Sequence, residues 1–313
     1  VFMVFTWHFV HVGGSMLAPP PILPFSLLSE GHTGVALFMA LSGYLFAKLL
    51  DGKRISYVQF IWNRILRLVP LLALVIIVAG CQQYMTGRIM RLYLKDVLTG
   101  LIMPSLPNGG FSVTTEFHFY LLLPLLLYLS RKSKYSLILS LAVFVFIRAL
   151  IYCRQGEVQS LSYWTLVGRI DQFLLGMIAH QFRTCLTGRH VLVVCSFVLF
   201  AGFYWYFDSQ GGFYASPSYP SPSAIWIYIP TVEGVAYATI IAWYDTSFTH
   251  STSWSSRFIA LIGTCSYSIY LLHFFFVFKL SHTINTHVAD LSSVYLALLG
   301  SVPCFLAMVP IGY

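Results

Sequence analysis

The chain has 313 residues, of which 58% are hydrophobic and only 9% charged; its mean hydropathy is +0.77 and its formal net charge +8. Soluble domains carry roughly 25% charged residues, which excludes a soluble fold here. A spanning helix needs about 20 mainly apolar residues. The composition therefore predicts an all-α, polytopic membrane bundle of about ten transmembrane helices, one domain over residues 1–313, with the lipid bilayer as partner and no nucleic acid. Val1 already stands inside an apolar run and the chain stops abruptly at Tyr313, so this domain reads as incomplete at both termini.

In chain order the apolar segments are Val1–Val12, Thr33–Leu50, Ile65–Tyr84, Glu116–Ser130, Ser136–Tyr152, Leu166–Phe182, Val191–Phe207, Ile225–Trp243, Phe258–Leu280 and Val294–Tyr313. The stretch Met90–Ile102 carries Arg91, Lys95 and Asp96, which suits a helix lying in the interface better than a span. Two connections, Gly13–His32 with its Pro19-Pro20-Pro21 and Asp208–Ala224 with its Gly, Pro, Ser and Tyr, contain no Lys or Arg. They read either as connectors or as covers over a site. The six cysteines form no CxxC pair and no His stands at metal-ligand spacing, so neither disulfide nor metal is expected.

Alternate connections differ in basic residues. One set holds Lys48, Lys53, Arg54, Arg64, Arg67, Arg131, Lys132, Lys134, Arg183, Arg189 and Arg257; the other holds Arg88, Arg91, Lys95, Arg154 and Lys279. The richer set belongs inside, which places both termini in the cytoplasm.

Ionisable side chains within spans are costly and usually face the bundle interior or a wet cavity. His8 and His11 stand on the first span, Glu116 and His118 open the fourth, Arg169 and Asp171 the sixth, Glu233 lies early in the eighth, and His273 lies in the ninth. Alternating spans put His8, Glu116, Arg169, Asp171, Glu233 and His273 at one outer depth. His11, His118, His180 and His190 read as interfacial or locally satisfied, and Arg148 as snorkelling to the outer interface. Arg169 with Asp171 reads equally as a structural ion pair or as a substrate contact.

Five stretches in order resemble the acyltransferase 3 family of membrane O-acyltransferases. They are Gly34–Leu45, Phe60–Pro70 with its Arg64 and Arg67, Glu116–Tyr120 followed by Leu121–Pro124, Gly168–Gly176, and Ser266–His273. His8, in Phe5-Thr6-Trp7-His8-Phe9, matches the family's essential first-span histidine, whose partner arginine would lie upstream of Val1. The chain departs from the family at Ala36, where Asp is usual, and at Phe117 and His118, which replace Glu and Gln.

The resemblance implies acyl transfer from acyl-CoA, acetyl-CoA being the expected donor, to a hydroxyl of a carbohydrate or similar acceptor. Histidine, with an unperturbed pKa of about 6.5, suits a general base. His8 takes that role, with Glu116 as orienting or charge-stabilising partner; transient acylation of the histidine is the open variant. Arg64 and Arg67 are placed to meet the donor's phosphates, or form an ordinary positive-inside flank. Arg169, Asp171 and His273 are the expected substrate-binding residues. Among the outer aromatics Trp205, Tyr206, Tyr214, Tyr219 and Trp226, a few suit sugar stacking. A proton-coupled transporter is the rival class and an inactive family relative the third reading.

Overall fold

The computed structural model describes residues 1–11, 23–53, 56–103, 105–249 and 251–313; the Pro19-Pro20-Pro21 segment and Arg54 lie outside them. The described residues form helices and connecting turns and contain no strand. In order the α-helices are α1 (Phe2–Val10), α2 (Ser26–Ser29), α3 (Gly34–Leu50), α4 (Tyr57–Met85), α5 (Met90–Thr99), α6 (Phe111–Lys132), α7 (Ser136–Gln155) and α8 (Gln159–Trp164). There follow α9 (Leu166–Gln181), α10 (His190–Ser209), α11 (Ile229–Ser247), α12 (Trp254–Thr264), α13 (Ser266–Leu272), α14 (Val277–His287) and α15 (Val294–Gly312). Six of the described helices are long and apolar enough to cross a membrane, seven if the pair Trp254–Thr264 and Ser266–Phe275, bent by 50°, counts as one.

The centre of the bundle is α3 against α9, with α11 alongside. Close approach requires glycine here: a Cβ on Gly43 would stand 2.1 Å from the Phe173 carbonyl oxygen, and one on Gly176 2.1 Å from that of Ala40. The removal of two Cβ atoms lets the backbones touch, the general device by which membrane helices pack without a hydrophobic drive between them. Phe119 of α6 stacks on Phe173 at 4.0 Å, both fully buried, and fills the adjoining space.

Helices α1, α4, α7, α10 and α12–α13 run one way, and α3, α6, α9, α11 and α15 return. The two ends differ in charge. At the basic end Lys48 Nζ lies 2.6 Å from Asp245 Oδ1, joining α3 to α11, and Arg131 donates to the carbonyls of Leu50 (3.1 Å) and Lys53 (3.2 Å). At the opposite end, on the 211–223 connection, Gln159 donates to Phe213 O at 2.9 Å, and Trp164 Nε1 to the Tyr219 hydroxyl at 2.9 Å.

Three boundaries depart from the hydropathy reading. Helix α4 begins at Tyr57, eight residues before the apolar run, because Ser56 caps it by accepting from Gln59 N at 3.4 Å; Arg64 and Arg67 are thus inside the helix. Helix α6 begins at Phe111, where Asn108 and Gly109 turn the chain at positive φ (54° and 73°). The Phe258–Leu280 segment is broken into α12, α13, a 3₁₀ turn at His273–Phe275 and α14. The stretch starting at Met90 forms a helix laid across α4, where the Tyr93 hydroxyl donates to Ile76 O at 2.5 Å and Arg88 pairs with Asp96.

Candidate active site

His8, near the C-terminal end of α1, meets His273 at the break after α13, with ring centroids 5.3 Å apart. Phe274 (4.5 Å from the His8 ring) and Phe278 (5.6 Å) complete an aromatic collar. His8 is half-buried, whereas His273 is fully buried. His273 opens the 3₁₀ turn His273–Phe275 that ends α13 within the broken ninth segment. His11, three residues on from His8, hydrogen-bonds its own helix instead, Nδ1 to Trp7 O at 2.7 Å.

Beneath the 211–223 connection lies a buried polar layer. Gln172 Nε2 donates to Glu233 at 2.7 Å, the Tyr204 hydroxyl donates to the same carboxylate at 2.6 Å, and Arg169 Nη1 donates to Gln172 Oε1 at 3.3 Å. Arg169 also bonds the Tyr163 carbonyl, and its guanidinium lies 4.3 Å from the Tyr163 ring.

Arg169 does not pair with Asp171. The partner of Asp171 is Arg148, which the sequence reading had sent to the lipid interface. Arg148 is fully buried and donates to Asp171 Oδ2 (2.5 Å), Ile227 O (3.0 Å), Gly168 O (3.0 Å) and the Thr231 hydroxyl (3.0 Å). The hydroxyl of Thr231 in turn donates to Asp171. Snorkelling fails because this face of α7 meets α9 and the turn before α11, where the guanidinium is enclosed by the Gly168 and Ile227 carbonyls and the Asp171 carboxylate. Asp171 Oδ2 is thus engaged by Arg148 and Thr231, while the buried Oδ1 has no hydrogen-bond partner among the described residues.

Glu116 stands apart from the histidines. Its carboxylate accepts from the Tyr120 hydroxyl and from Ser42 Oγ at 3.4 Å. Ser42 lies eight residues into α3, about 12 Å from its start at 1.5 Å per residue, so Glu116 sits deeper than the other ionisable groups. It lies in the field of Arg64 and Arg67. Arg64 is held 5.2 Å and 5.5 Å from the rings of Phe46 and Phe60, with its Nε buried and unpartnered among the described residues, while Arg67 is exposed.

Helix α13 joins these two regions. Along one face, the Tyr267 hydroxyl donates to Leu68 O on α4 (2.6 Å), the Tyr270 hydroxyl to Gly109 O at the start of α6 (3.1 Å), and His273 reaches His8. A separate cavity of about 350 Å³ opens at the basic end, lined in part by Asp51, Arg131, His180 and Arg183.

Sequence reasoning missed Glu30 and His32. Glu30 is buried, accepts from Phe213 N (3.2 Å and 3.3 Å), lies 3.0 Å from His32 Nε2, and presses against Gly212, where a Cβ would meet Oε1 at 1.8 Å. Burial pushes its carboxyl up to about 7, against the opposing pull of His11 and the Phe213 N–H. A lone acid in a connection without Lys or Arg was the available signal. Of the outer aromatics, Trp226 is buried against Phe207 and Phe213 and unavailable for stacking; Tyr214, stacked on Trp7 at 5.7 Å, and Tyr219 remain exposed on the connection. Trp205 and Tyr206 are exposed on α10. His118, His180 and His190 each have a partner, in Leu101 O (3.0 Å), Arg183 (3.0 Å) and Trp243 Nε1 (3.1 Å). The described residues hold no cluster of three or more His, Cys, Asp or Glu suited to a metal, and their cysteines are free.

No curated protein and no solved structure matches the chain. A model of the acyltransferase domain (Acyl_transf_3) matches residues 1–313, the whole of it. With the helical membrane bundle and this match, the chain belongs to the acyltransferase 3 family of membrane acyltransferases.

Proposed function

We propose that this acyltransferase moves an acyl group, acetyl in the first instance, from acyl-CoA at the basic end to a hydroxyl of a carbohydrate or similar acceptor at the opposite end. The observation that carries the reading is the line of groups along α13. It begins beside Arg67, passes Tyr267 and Tyr270, and ends at the His8–His273 pair. Excess Lys and Arg support a cytoplasmic basic end, with both termini on that side, and the membrane of this reading is a cell or plasma membrane. Donor from the cytoplasm and acceptor from outside would then meet at His8.

In this reading Arg64 and Arg67 hold the donor's phosphates by charge-assisted hydrogen bonds. Glu116, fixed by Tyr120 and Ser42, balances those cations from within the bundle, on the donor path rather than as the base's partner. His8 takes the hydroxyl proton as the acceptor oxygen attacks the thioester carbonyl. The C–S bond breaks, and the thiolate leaves with the proton from the imidazolium. Arg169 and the exposed Tyr214 and Tyr219 face the acceptor side, where a ring could stack and hydroxyls could bond.

Transfer of radiolabelled acetyl from acetyl-CoA by purified protein in lipid nanodiscs tests the reading. His8→Ala should lower the rate by about 10²–10⁴-fold, the usual cost of a lost general base. His11→Ala should lose much less, because its ring is bonded to its own helix. Retained transfer in His8→Ala would remove the histidine mechanism.

A further inference from the structure

Two features of His273 are unexplained by packing. Its Nδ1 lies 2.6 Å from Tyr270 O and 3.2 Å from Ile269 O. Both are carbonyls and can only accept, so Nδ1 carries the proton and the lone pair is on Nε2. That Nε2 is fully buried and has no hydrogen-bond partner among the described residues. Buried acceptors are satisfied in the great majority of cases, and an exception calls for a cause.

The surroundings leave few sources for a donor. Phe5 (6.1 Å between centroids) and Phe274 (4.4 Å) have none, and the Tyr270 hydroxyl is committed to Gly109 O. Trp7, whose Nε1 is also unpartnered, stacks with Tyr214 and is not among the rings packed against His273. His8 is the neighbouring ring with nitrogens, it makes no hydrogen bond of its own among the described residues, and the 5.3 Å between centroids lies within reach of a direct or one-water bridge.

We infer that His273 is the positioning residue of the reaction: its bare Nε2 accepts a hydrogen bond from one ring nitrogen of His8, fixing the His8 tautomer and leaving the other nitrogen free to take the acceptor's proton. The backbone sets this arrangement, since Tyr270 O and Ile269 O dictate the His273 tautomer, which dictates that of His8. The logic is that of a base oriented by a third group, with a neutral imidazole in place of a carboxylate. A neutral orienter suits this depth, where a carboxylate would have to be desolvated. The inference rests on the reading of His8 as base and reassigns His273 from substrate contact to support of that base.

Amide side chains separate this role from a purely structural one. Gln places its terminal atoms near the position of Nε2 and Asn near that of Nδ1. His273→Asn keeps a donor for the helix carbonyls and loses the acceptor for His8; His273→Gln does the reverse. Acetyl transfer from acetyl-CoA in nanodiscs should show kcat down roughly 10²-fold in His273→Asn with donor KM unchanged, and down by less than about tenfold in His273→Gln. A structural role predicts the opposite order, and that order, or equal losses, would overturn the inference while leaving His8 as base. Full activity in His8→Ala would instead remove the reading on which it rests. Nitrogen-15 spectra of histidine-labelled wild type, assigned with His8→Gln and His273→Gln, need no active variant. They should show one fixed neutral tautomer at each of the two rings; a tautomer mixture at His8 overturns the inference.

Discussion

Arg148 gives the sharpest test of the architecture. Replacing it with Leu removes four hydrogen bonds joining α7 to α9, to the turn before α11 and to α11 itself, and strands Asp171 in a fully buried site. Breaking a buried pair from one side typically costs about 3–5 kcal/mol, most of it the unpaired charge. The orphaned carbonyls of Ile227 and Gly168 lose bonds worth about 1 kcal/mol each. Removing the charge as well, in Arg148→Leu/Asp171→Leu, should therefore recover about 2 kcal/mol or more relative to Arg148→Leu alone, leaving the double variant below wild type by the carbonyl terms. The assay is unfolding in mixed micelles with increasing denaturing detergent, followed by far-ultraviolet circular dichroism, with both single variants completing the cycle. A loss under about 1 kcal/mol in Arg148→Leu, or a double variant as unstable as the sum of the singles, would refute the reasoning and return Arg148 to the lipid interface.

Arg64→Gln/Arg67→Gln should weaken acetyl-CoA binding roughly tenfold or more, as measured by calorimetry in nanodiscs, with a smaller difference from wild type at high salt because the exposed charge is screened. Unchanged affinity would make these arginines a positive-inside flank. The raised Glu30 carboxyl binds its proton more tightly in the folded state, so its contribution is fully present below about pH 4.5 and is lost as pH rises from there through about 7. At about 1.4 kcal/mol per unit, the rise from 4.5 to about 7 is worth on the order of 3 kcal/mol. Thermal unfolding between pH 5 and 8 should show this decline, and Glu30→Gln should flatten it. On a background without the exposed Cys81, Cys153, Cys185 and Cys195, an impermeant thiol reagent applied outside cells should label Ser218→Cys and spare Ser133→Cys, both positions being exposed at opposite ends; the reverse would invert the topology.

The membrane class was legible because hydropathy is a sum over many residues, and nearly every apolar segment has its helix. Boundaries set by single side chains were not: Ser56 starts α4 inside a polar turn that a hydropathy window averages away. Arg148 was misread because one-dimensional depth cannot tell a helix face toward lipid from one toward α9. The same limit put Glu116 with the histidines, although its own face carries it to Ser42 and Tyr120. Glu30 and His32 were passed over because they lie between apolar segments, where ionisable residues attract no notice until burial is known. The meeting of His8 with His273 was foreseeable only as a shared depth; the division of the Phe258–Leu280 segment into α12, α13, a 3₁₀ turn and α14 leaves no periodic signal.

The most direct measurement is of sidedness. Protein reconstituted into sealed liposomes of determined orientation receives radiolabelled acetyl-CoA on one face only, with a mixture of soluble carbohydrate acceptors on the other. The account predicts that acetyl-CoA at the basic face labels acceptor across the bilayer, in wild type and not in His8→Ala. Label that appears only when acetyl-CoA and acceptor share a face, or equally with His8→Ala, would contradict it.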